Sequence, residues 1–547
     1  MKRIVAALLS ASLLLSLVGC SKEAEETTKK KKKKKTTSTE VTETVAPTET
    51  PEETTTEETT EETTTETTTE ATTEPTVSPF DEKGHSTQLH SQINPTCLAY
   101  GDVVEGDYGY SYMQSIRFYQ EVIDLGDTDY AALKDAITNS TNAISTEFSQ
   151  QFPESLQAFL NGESPALLGR SILEEIYRDD SFIFSYVEKQ RVSRGDNTYP
   201  ADVFVTHNYL SATAQEIAFT DVVKDPQLVV DALAKQMRED EDPDPDLVAS
   251  ILDGSCAFVL YYDGIGFCHP YENNPIKVPL FDIEAGVDLS YFGHAPENYI
   301  LDLDHHGEAQ YDVNGDGQPN FIKAEVTMSS EDYSMTPERV TLSFDGVTTE
   351  FDPNDCGDMY GNWDPYYEPS YFLHIDSGYY VYLPVSIEND YIHTYVFQLD
   401  PETGSFTYVD MFEPEFSHHP YDVDFVSLYS RFDVMGTCFM DAHYSLNQTD
   451  AIPQLLDYNY ENYRTLVKTK AELSAYDGDG NDITIPAGKI LLFLTYNTET
   501  RMAQVMILDE DMSKWSVAIM SADDSSYPPT VAGKPQDDVL DGLFYGG

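Results

Sequence analysis

Between Lys29 and Thr76 the chain has almost nothing with which to build a core. KKKKKKK (Lys29 to Lys35) gives way to TPEETTTEETTEETTTETTTEATTEPT, Thr/Glu/Pro text without apolar periodicity. Such a stretch cannot bury enough apolar surface to offset the ordering of its backbone, and it is expected to stay disordered. Residues 21–79 therefore read as a linker, and whatever folds must come from Phe80 to Gly547. That length suggests about three domains. As a flexible coil the linker would hold its ends roughly 45 Å apart, more where charge repulsion extends it.

Ahead of the linker, MKRIVAALLSASLLLSLVGCSKE carries Lys2 and Arg3, then an apolar run from Ile4 to Val18. The run suits a signal peptide and is short for a membrane span. It ends in Leu17-Val18-Gly19-Cys20, which resembles the lipobox of bacterial lipoproteins. The resemblance implies cleavage before Cys20 and a diacylglycerol on its thiol. The alternative is an ordinary secretory peptide with an accidental cysteine. Later segments fall short of the ~20 apolar residues a span needs. The expectation is a protein held at the extracellular face of the cell membrane by lipid. The lysines beside the anchor either rest on anionic headgroups, at about 1 kcal/mol each, or form a solvated charge run. So long a linker suits a Gram-positive wall.

The chain has 96 acidic and 32 basic residues; residues 80–547 keep 81 and 22, a net charge of −59. A surface this negative repels nucleic acid, which excludes that class of partner, and it favours cationic partners and divalent ions. Cys97, Cys256, Cys268, Cys356 and Cys438 are odd in number and lack CxxC or zinc spacing. They read as buried small hydrophobes, with one disulfide left open. Cys256 and Cys268 flank the hairpin VLYYDGIGF. A two-residue Asp263-Gly264 turn would set Cys256 opposite Tyr271, so the two are not cross-strand partners.

Residues 97–124 read as strands around a Gly/Tyr loop. The period then changes: Leu133, Ile137, Ile144 and Phe148 share one helical face, with Asp127 or Thr128 as cap. Strand patterns return at SFIFSYVEKQRVS and ADVFVTHNYLS. In KDPQLVVDALAKQM, Asp225 caps, Pro226 takes the first turn, and Leu228, Val229, Ala232, Leu233 and Met237 form the apolar face. The fold class is α+β: an N-terminal antiparallel sheet with packed helices over 80–298, then all-β domains at 299–415 and 416–547. In the first of these, Val340, Leu342 and Phe344 alternate, as do Leu373 and Ile375, and Tyr395, Phe397 and Leu399.

VSRGDN, the helix after AFTDVVKD, YYDGIGFCHPYE and KVPLFDIEAGVDLSYFG follow one another in an order that resembles a paired domain of unknown function. That pair forms the outer part of lysozyme-sensing anti-sigma factors of bacilli and precedes the catalytic domain of some peptidoglycan deacetylases. The resemblance covers about residues 97–293. It rests on Ser193-Arg194, Gly264 to Phe267, Pro270-Tyr271-Glu272 and Val278-Pro279. The chain departs from the family at Asn273 to Pro275, where members carry a longer segment. Neither an anti-sigma segment nor a deacetylase domain is recognised beside it, so sigma-factor signalling is not implied. ELSAYDGDGNDITIPAGKILLFL, AQVMIL and WSVAIM resemble a small SH3-like barrel. The ending DGLFYGG resembles the tails of clostridial surface lipoproteins.

One loop carries metal chemistry. In YDVNGDGQPN, Asp312, Asn314 and Asp316 stand at positions one, three and five, Gly317 at six, Gln318 at seven and Asn320 at nine. This spacing aims hard oxygen ligands at one point, as calcium requires. Lys323 stands where an EF-hand has its bidentate Glu, so the loop resembles the D-x-N-x-D-G loops of FG-GAP-type propellers. It reads either as a weak structural calcium site or as a plain Asn-Gly/Asp-Gly turn. Asp302, Asp304, His305 and His306 either complete a metal shell or form a polar strand end. Asp477-Gly478-Asp479-Gly480 reads as a hairpin turn, and Arg194-Gly195-Asp196 as a chance tripeptide. Trp363, Tyr366 and Tyr367 either stack on a sugar or pack back on a sheet. GxSxG, HExxH, Walker and papain-like motifs are absent from the sequence. The favoured reading is non-enzymatic binding or sensing of an envelope or host ligand, either a cationic lysozyme-like protein or a wall glycan. The alternatives are a wall or polysaccharide hydrolase working through two carboxylates, and a purely structural wall component.

Overall fold

The computed structural model describes residues 79–547 apart from 82, 106–110, 163–166, 195–199, 239–240, 271–273, 330–335, 358, 388–391, 509–514, 526 and 546–547. The signal peptide, Cys20, the linker, Gly195-Asp196 and Tyr271 to Asn273 lie outside the described residues. Strands β1 (Gln92–Glu105) and β2 (Ser111–Asp124) pair antiparallel along their whole length. Helix α1 (Ala131–Leu160) follows, with Leu133, Ile137, Phe148 and Phe152 buried. The rings of Phe148 and Phe152 meet Phe118 of β2 edge-on, each at 5.2 Å. Thr128 does not cap the helix. Its Oγ1 accepts the N–H of Tyr130 at 3.2 Å, closing a turn ahead of the helix and leaving Tyr130 at the cap position.

α1 is a crossover connection. It brings β3 (Leu167–Asp179) alongside β2 in parallel, Arg117 against Gly169 and Gln120 against Ile172. The expected antiparallel sheet is therefore mixed. A long helical return lets consecutive strands run the same way, which a hairpin forbids. β4 (Ile183–Arg194), β5 (Val203–Leu210) and β6 (Gln215–Glu216) then continue antiparallel, completing a six-stranded sheet in chain order.

Two short helices come next, α2 (Pro226–Leu233) and α3 (Pro245–Asp253). Each starts with Asp before Pro. Asp225 accepts the N–H of Leu228, and Asp244 accepts those of Asp246 and Leu247, satisfying donors that a helix start leaves open. Val229, Ala232, Leu233, Leu247 and Ile251 pack on a small sheet of β7 (Phe258–Leu260), β8 (Gly264–Phe267) and β9 (Ile276–Pro279). Its hairpin register pairs Phe258 with Phe267 and Leu260 with Ile265, two residues from the expected alignment. The turn takes four residues because Tyr261 N–H closes on Gly264 O, while Asp263 is drawn inward to Lys277. All five described cysteines are free; four are buried, and Cys97 is half-buried.

Residues 299–412 form two facing sheets. One is β10 (Tyr299–Asp302) with the strands at 371–375, 378–386, 392–400 and 405–412; the other is β11 (Glu308–Tyr311), β12 (Asn320–Met328) and the strands at 337–344 and 347–351. Val340, Leu342 and Phe344 meet Phe372, Val381 and Phe397 between them. The opposite face of the five-stranded sheet, with Tyr371, Leu373, Tyr380 and Tyr382, packs on the C-terminal part. A sheet covered on both faces reads as runs of apolar residues, as in Tyr371-Phe372-Leu373. From Glu415 onward the chain builds a 14-stranded sheet, to which 473–523, the stretch likened to a small barrel, contributes several strands. Among the described residues no helix is long and apolar enough to cross a membrane.

Candidate ligand cleft and the predicted metal loop

The 312–320 loop joins β11 to β12. Asp312 Oδ1 accepts the N–H groups of Gly315 and Asp316 at 2.8 and 3.1 Å, and its Oδ2 accepts that of Gly317 at 2.8 Å. Asn314 Oδ1 accepts the Asp316 N–H at 3.0 Å, and Asp316 Oδ1 that of Gln318 at 2.8 Å. Gly317 has φ +81°, which favours glycine at the sharp turn. Gln318 Nε2 donates to Gly317 O. Asn320 is buried and committed inward, accepting from Val313 N–H and donating to Asp345. Asp312, Asn314 and Asp316 thus share one turn, while Asn320 anchors the strand below it.

The other sequence candidates separate. Asp302 lies against His419, with Oδ1 to Nε2 at 2.7 Å. Asp304 accepts the N–H groups of His306 and Glu308, closing the β10–β11 turn, and His306 Nε2 meets Lys235 O at 2.6 Å. Trp363 donates its indole N–H to Ser370 Oγ at 3.1 Å. Arg238 covers Tyr366 and Tyr367 at 4.7 and 5.1 Å, so this aromatic loop packs back on the fold. Asp477 accepts the N–H groups of Asp479 and Asn481 in a hairpin turn, as its Asp-Gly text suggests.

A cleft of about 600 Å³ opens on the face of the six-stranded sheet opposite α1. Register builds its floor. Arg117 neighbours Gly169, which neighbours Ser193; one step along, Tyr119 neighbours Ser171, which neighbours Arg191. Side chains two apart share a face, so Arg117 and Tyr119 look into the cleft while Ile116 and Phe118 look toward α1. Gly169 keeps the floor low: a Cβ there would stand 2.5 Å from Ser193 Oγ. Tyr463 and Arg464 of the C-terminal part form the far wall. Arg117 Nη1 spans to Arg464 O at 2.5 Å. Among the described residues Arg117 has no carboxylate partner. Arg191 is paired with Asp202 at 2.9 Å. The described lining contains three arginines and no Asp or Glu. Burial pushes the Cys97 thiol in this wall up to about 12, which keeps it protonated and unreactive.

Below the cleft runs a seam of buried charge. Arg464 lies 5.2 Å over the Tyr119 ring and 4.0 Å from Glu121, whose Oε1 accepts Tyr119 O–H at 2.9 Å. His418 stands 3.7 Å from Glu175, an ion-pair distance too long for a hydrogen bond. His419 places Nδ1 2.8 Å from Ile176 O and Nε2 2.7 Å from Asp302. Both partners only accept, so both ring nitrogens carry hydrogen and the ring is an imidazolium. Lys277, 3% exposed, lies 2.7 Å from Asp263 and donates to Asp302 O. These groups are committed to one another; the arginines above them are what a ligand can reach. Sequence reading missed that trio because its members are as much as 347 residues apart and meet only through strand pairing. The local signal was slight: a cationic and an aromatic residue alternating with apolar ones in SIRFYQE.

No family model matches the sequence, and no curated protein matches it. Among solved structures, the chain is similar to a DUF3298 family protein from Pseudomonas aeruginosa PAO1. Identity is 10%, the match covers 38% of this chain and 99% of that one, and the TM-score is 0.26. A DUF3298 family member from Bacteroides fragilis NCTC 9343 shows 14% identity, coverage of 36% and 94%, and a TM-score of 0.22. The structural neighbours thus belong to a family of domains of unknown function.

Proposed function

We propose that this chain is a non-enzymatic binding protein of the cell envelope. Lipid on Cys20 anchors it, the 21–79 linker carries residues 80–547 outward from the membrane, and its ligand is a wall glycan bearing acidic groups. The observation that carries this reading is the cleft: three arginines gathered on one wall of a protein whose folded part has only 22 basic residues. Guanidinium forks match carboxylate and phosphate geometry, and the neighbouring serines and tyrosines suit sugar hydroxyls. A two-carboxylate hydrolase needs both acids facing its cleft, and the described lining offers neither. In the same reading Asp312, Asn314, Asp316 and Gln318 hold a weak structural calcium, with Asn320 supporting the loop, and 473–523 keeps its SH3-like character. A second reading follows from the net charge of −59: a cationic protein such as lysozyme docks on the acidic exterior.

Calorimetry of the full chain with purified wall glycan, before and after chemical removal of its anionic groups, separates these readings. The cleft reading expects salt-sensitive binding, lost on removing the acids and weakened at least tenfold in Arg117→Ala. Unchanged binding by Arg117→Ala would reject it. Lysozyme binding that ignores this substitution would support the second reading instead.

A further inference from the structure

The stretch before β1 crosses the stretch before the strand at 426–432, and chemistry-bearing side chains collect where they meet. His90 Nδ1 lies 2.7 Å from Asp422 Oδ2. One ligand atom each from His90, Asp422 and Asp424 lies within 4.8 Å of the others. Asp422 is 2% exposed, whereas His90 and Asp424 are exposed, so the group forms a lip over a buried acid.

A second, independent observation lies beneath it. Asp179 is fully buried. Its Oδ2 accepts the Ser91 N–H at 3.0 Å and Gln88 Nε2 at 3.1 Å, but its Oδ1 has no hydrogen-bond partner, and neither has the fully buried Ser91 Oγ. Gln88 also reaches Tyr421 O, and Tyr421 O–H donates to Ser91 O at 2.9 Å. Ser91 and Tyr421 are the chain neighbours of His90 and Asp422, so both crossing segments are laced around Asp179. Asp179 and Asp422 stand close enough to repel. Burial first, and then that repulsion, push Asp179 up to about 7 against its hydrogen bond from Ser91. A buried carboxylate oxygen without a partner, beside two further carboxylates, calls for a cation.

We propose that His90, Asp422, Asp424 and Asp179 form a binding site for one divalent transition-metal ion. An imidazole among carboxylates suits manganese or zinc better than calcium, which prefers oxygen alone. First-row ions hold their ligands at about 2.0–2.2 Å. The exposed His90 and Asp424 therefore close inward on the fixed Asp422 and Asp179. The outer partners that such ligands need are in place: Asp422 Oδ1 accepts the Asp424 N–H at 2.9 Å, and Asn447 Nδ2 donates to Asp424 Oδ1 at 3.1 Å. The ion ties the start of the folded part to the C-terminal part, and the site is separate from the calcium-type loop and from the arginine cleft.

The test uses the full chain stripped with chelator, dialysed, and titrated with Mn²⁺ alone under electron paramagnetic resonance. The proposal expects one tightly bound ion per chain, displaced by Zn²⁺, with a nitrogen coupling from a coordinated imidazole. In His90→Gln the nitrogen coupling disappears and affinity falls at least tenfold. Asp422→Asn weakens binding to a similar degree, and Asp316→Ala leaves both readouts unchanged. His90 is exposed, so its substitution spares the fold, which near-ultraviolet circular dichroism verifies. Binding without nitrogen coupling, coupling that survives in His90→Gln, or affinity within twofold of the parent would overturn the proposal.

Discussion

Asp312 spends both carboxylate oxygens on N–H groups of its own loop, and Asp316 spends one on Gln318. An ion entering here finds a turn already closed, so it would add binding energy without having to organise the backbone. With a dissociation constant in the range of extracellular sites, ~10⁻⁴ to 10⁻³ M, millimolar calcium would stabilise the fold by about 1–2 kcal/mol. Thermal melting of the full chain with chelator and with calcium measures this. The expected outcome is a rise with calcium that Asp316→Ala abolishes, and the absence of any rise would leave a plain turn. Asp316 is the better target because removing Asp312 would unravel the turn itself. This loop was legible in the text because its ligands are spaced within one turn. Arg117, Arg191 and Arg464 were not, and neither were His90 and Asp422, since each set is assembled by contacts hundreds of residues apart.

Among the elements, α1 decides how the cleft faces. Its burial of Leu133, Ile137 and Phe148 takes one face of the six-stranded sheet out of solvent and leaves the other for the ligand. Phe148, 3% exposed, holds the contact with Phe118. Truncation to Phe148→Ala should cost about 3–5 kcal/mol. Urea unfolding of the full chain would show it as a lower midpoint, and an unchanged midpoint would mean that α1 is not packed as described. The helical period made this face readable as far as Phe148, yet the helix runs on through Pro153 to Leu160. Proline reads as a breaker because it removes one backbone donor, but packing of Phe152 carries the helix past it. Strand direction was unreadable for a different reason: parallel and antiparallel strands share a period of two, and only the crossover distinguishes them.

For the whole molecule, the charged seam couples stability to pH. Burial alone would lower the pKa of His418, but Glu121, Glu175 and Asp441 outweigh it and raise it to about 9. His419 is raised against burial by Asp302 and Glu175. A histidine raised by folding stabilises fully below its unfolded pKa of about 6.5 and loses that contribution as pH climbs toward 9. Burial also raises Glu368 to about 8, aided by Glu415, and Glu461 to about 7, aided by Asp441. Each keeps a proton that the unfolded chain gives up above about pH 4.5, so each also favours folding less as pH rises through that interval. Glu175 acts the other way. Burial opposes its ionisation, the two histidines prevail and lower its pKa, and its contribution is lost as pH falls below the unfolded value. These signs place the stability maximum on the mildly acid side of neutral. The melting temperature of the full chain should fall steadily between about pH 6.5 and 9. In His418→Gln the protein should melt lower throughout, because Glu121 and Glu175 lose a cation, and its pH slope over that interval should flatten. A melting temperature that stays level or rises across this interval would mean that the imidazolium of His418 is not what joins the N-terminal sheet to the C-terminal part.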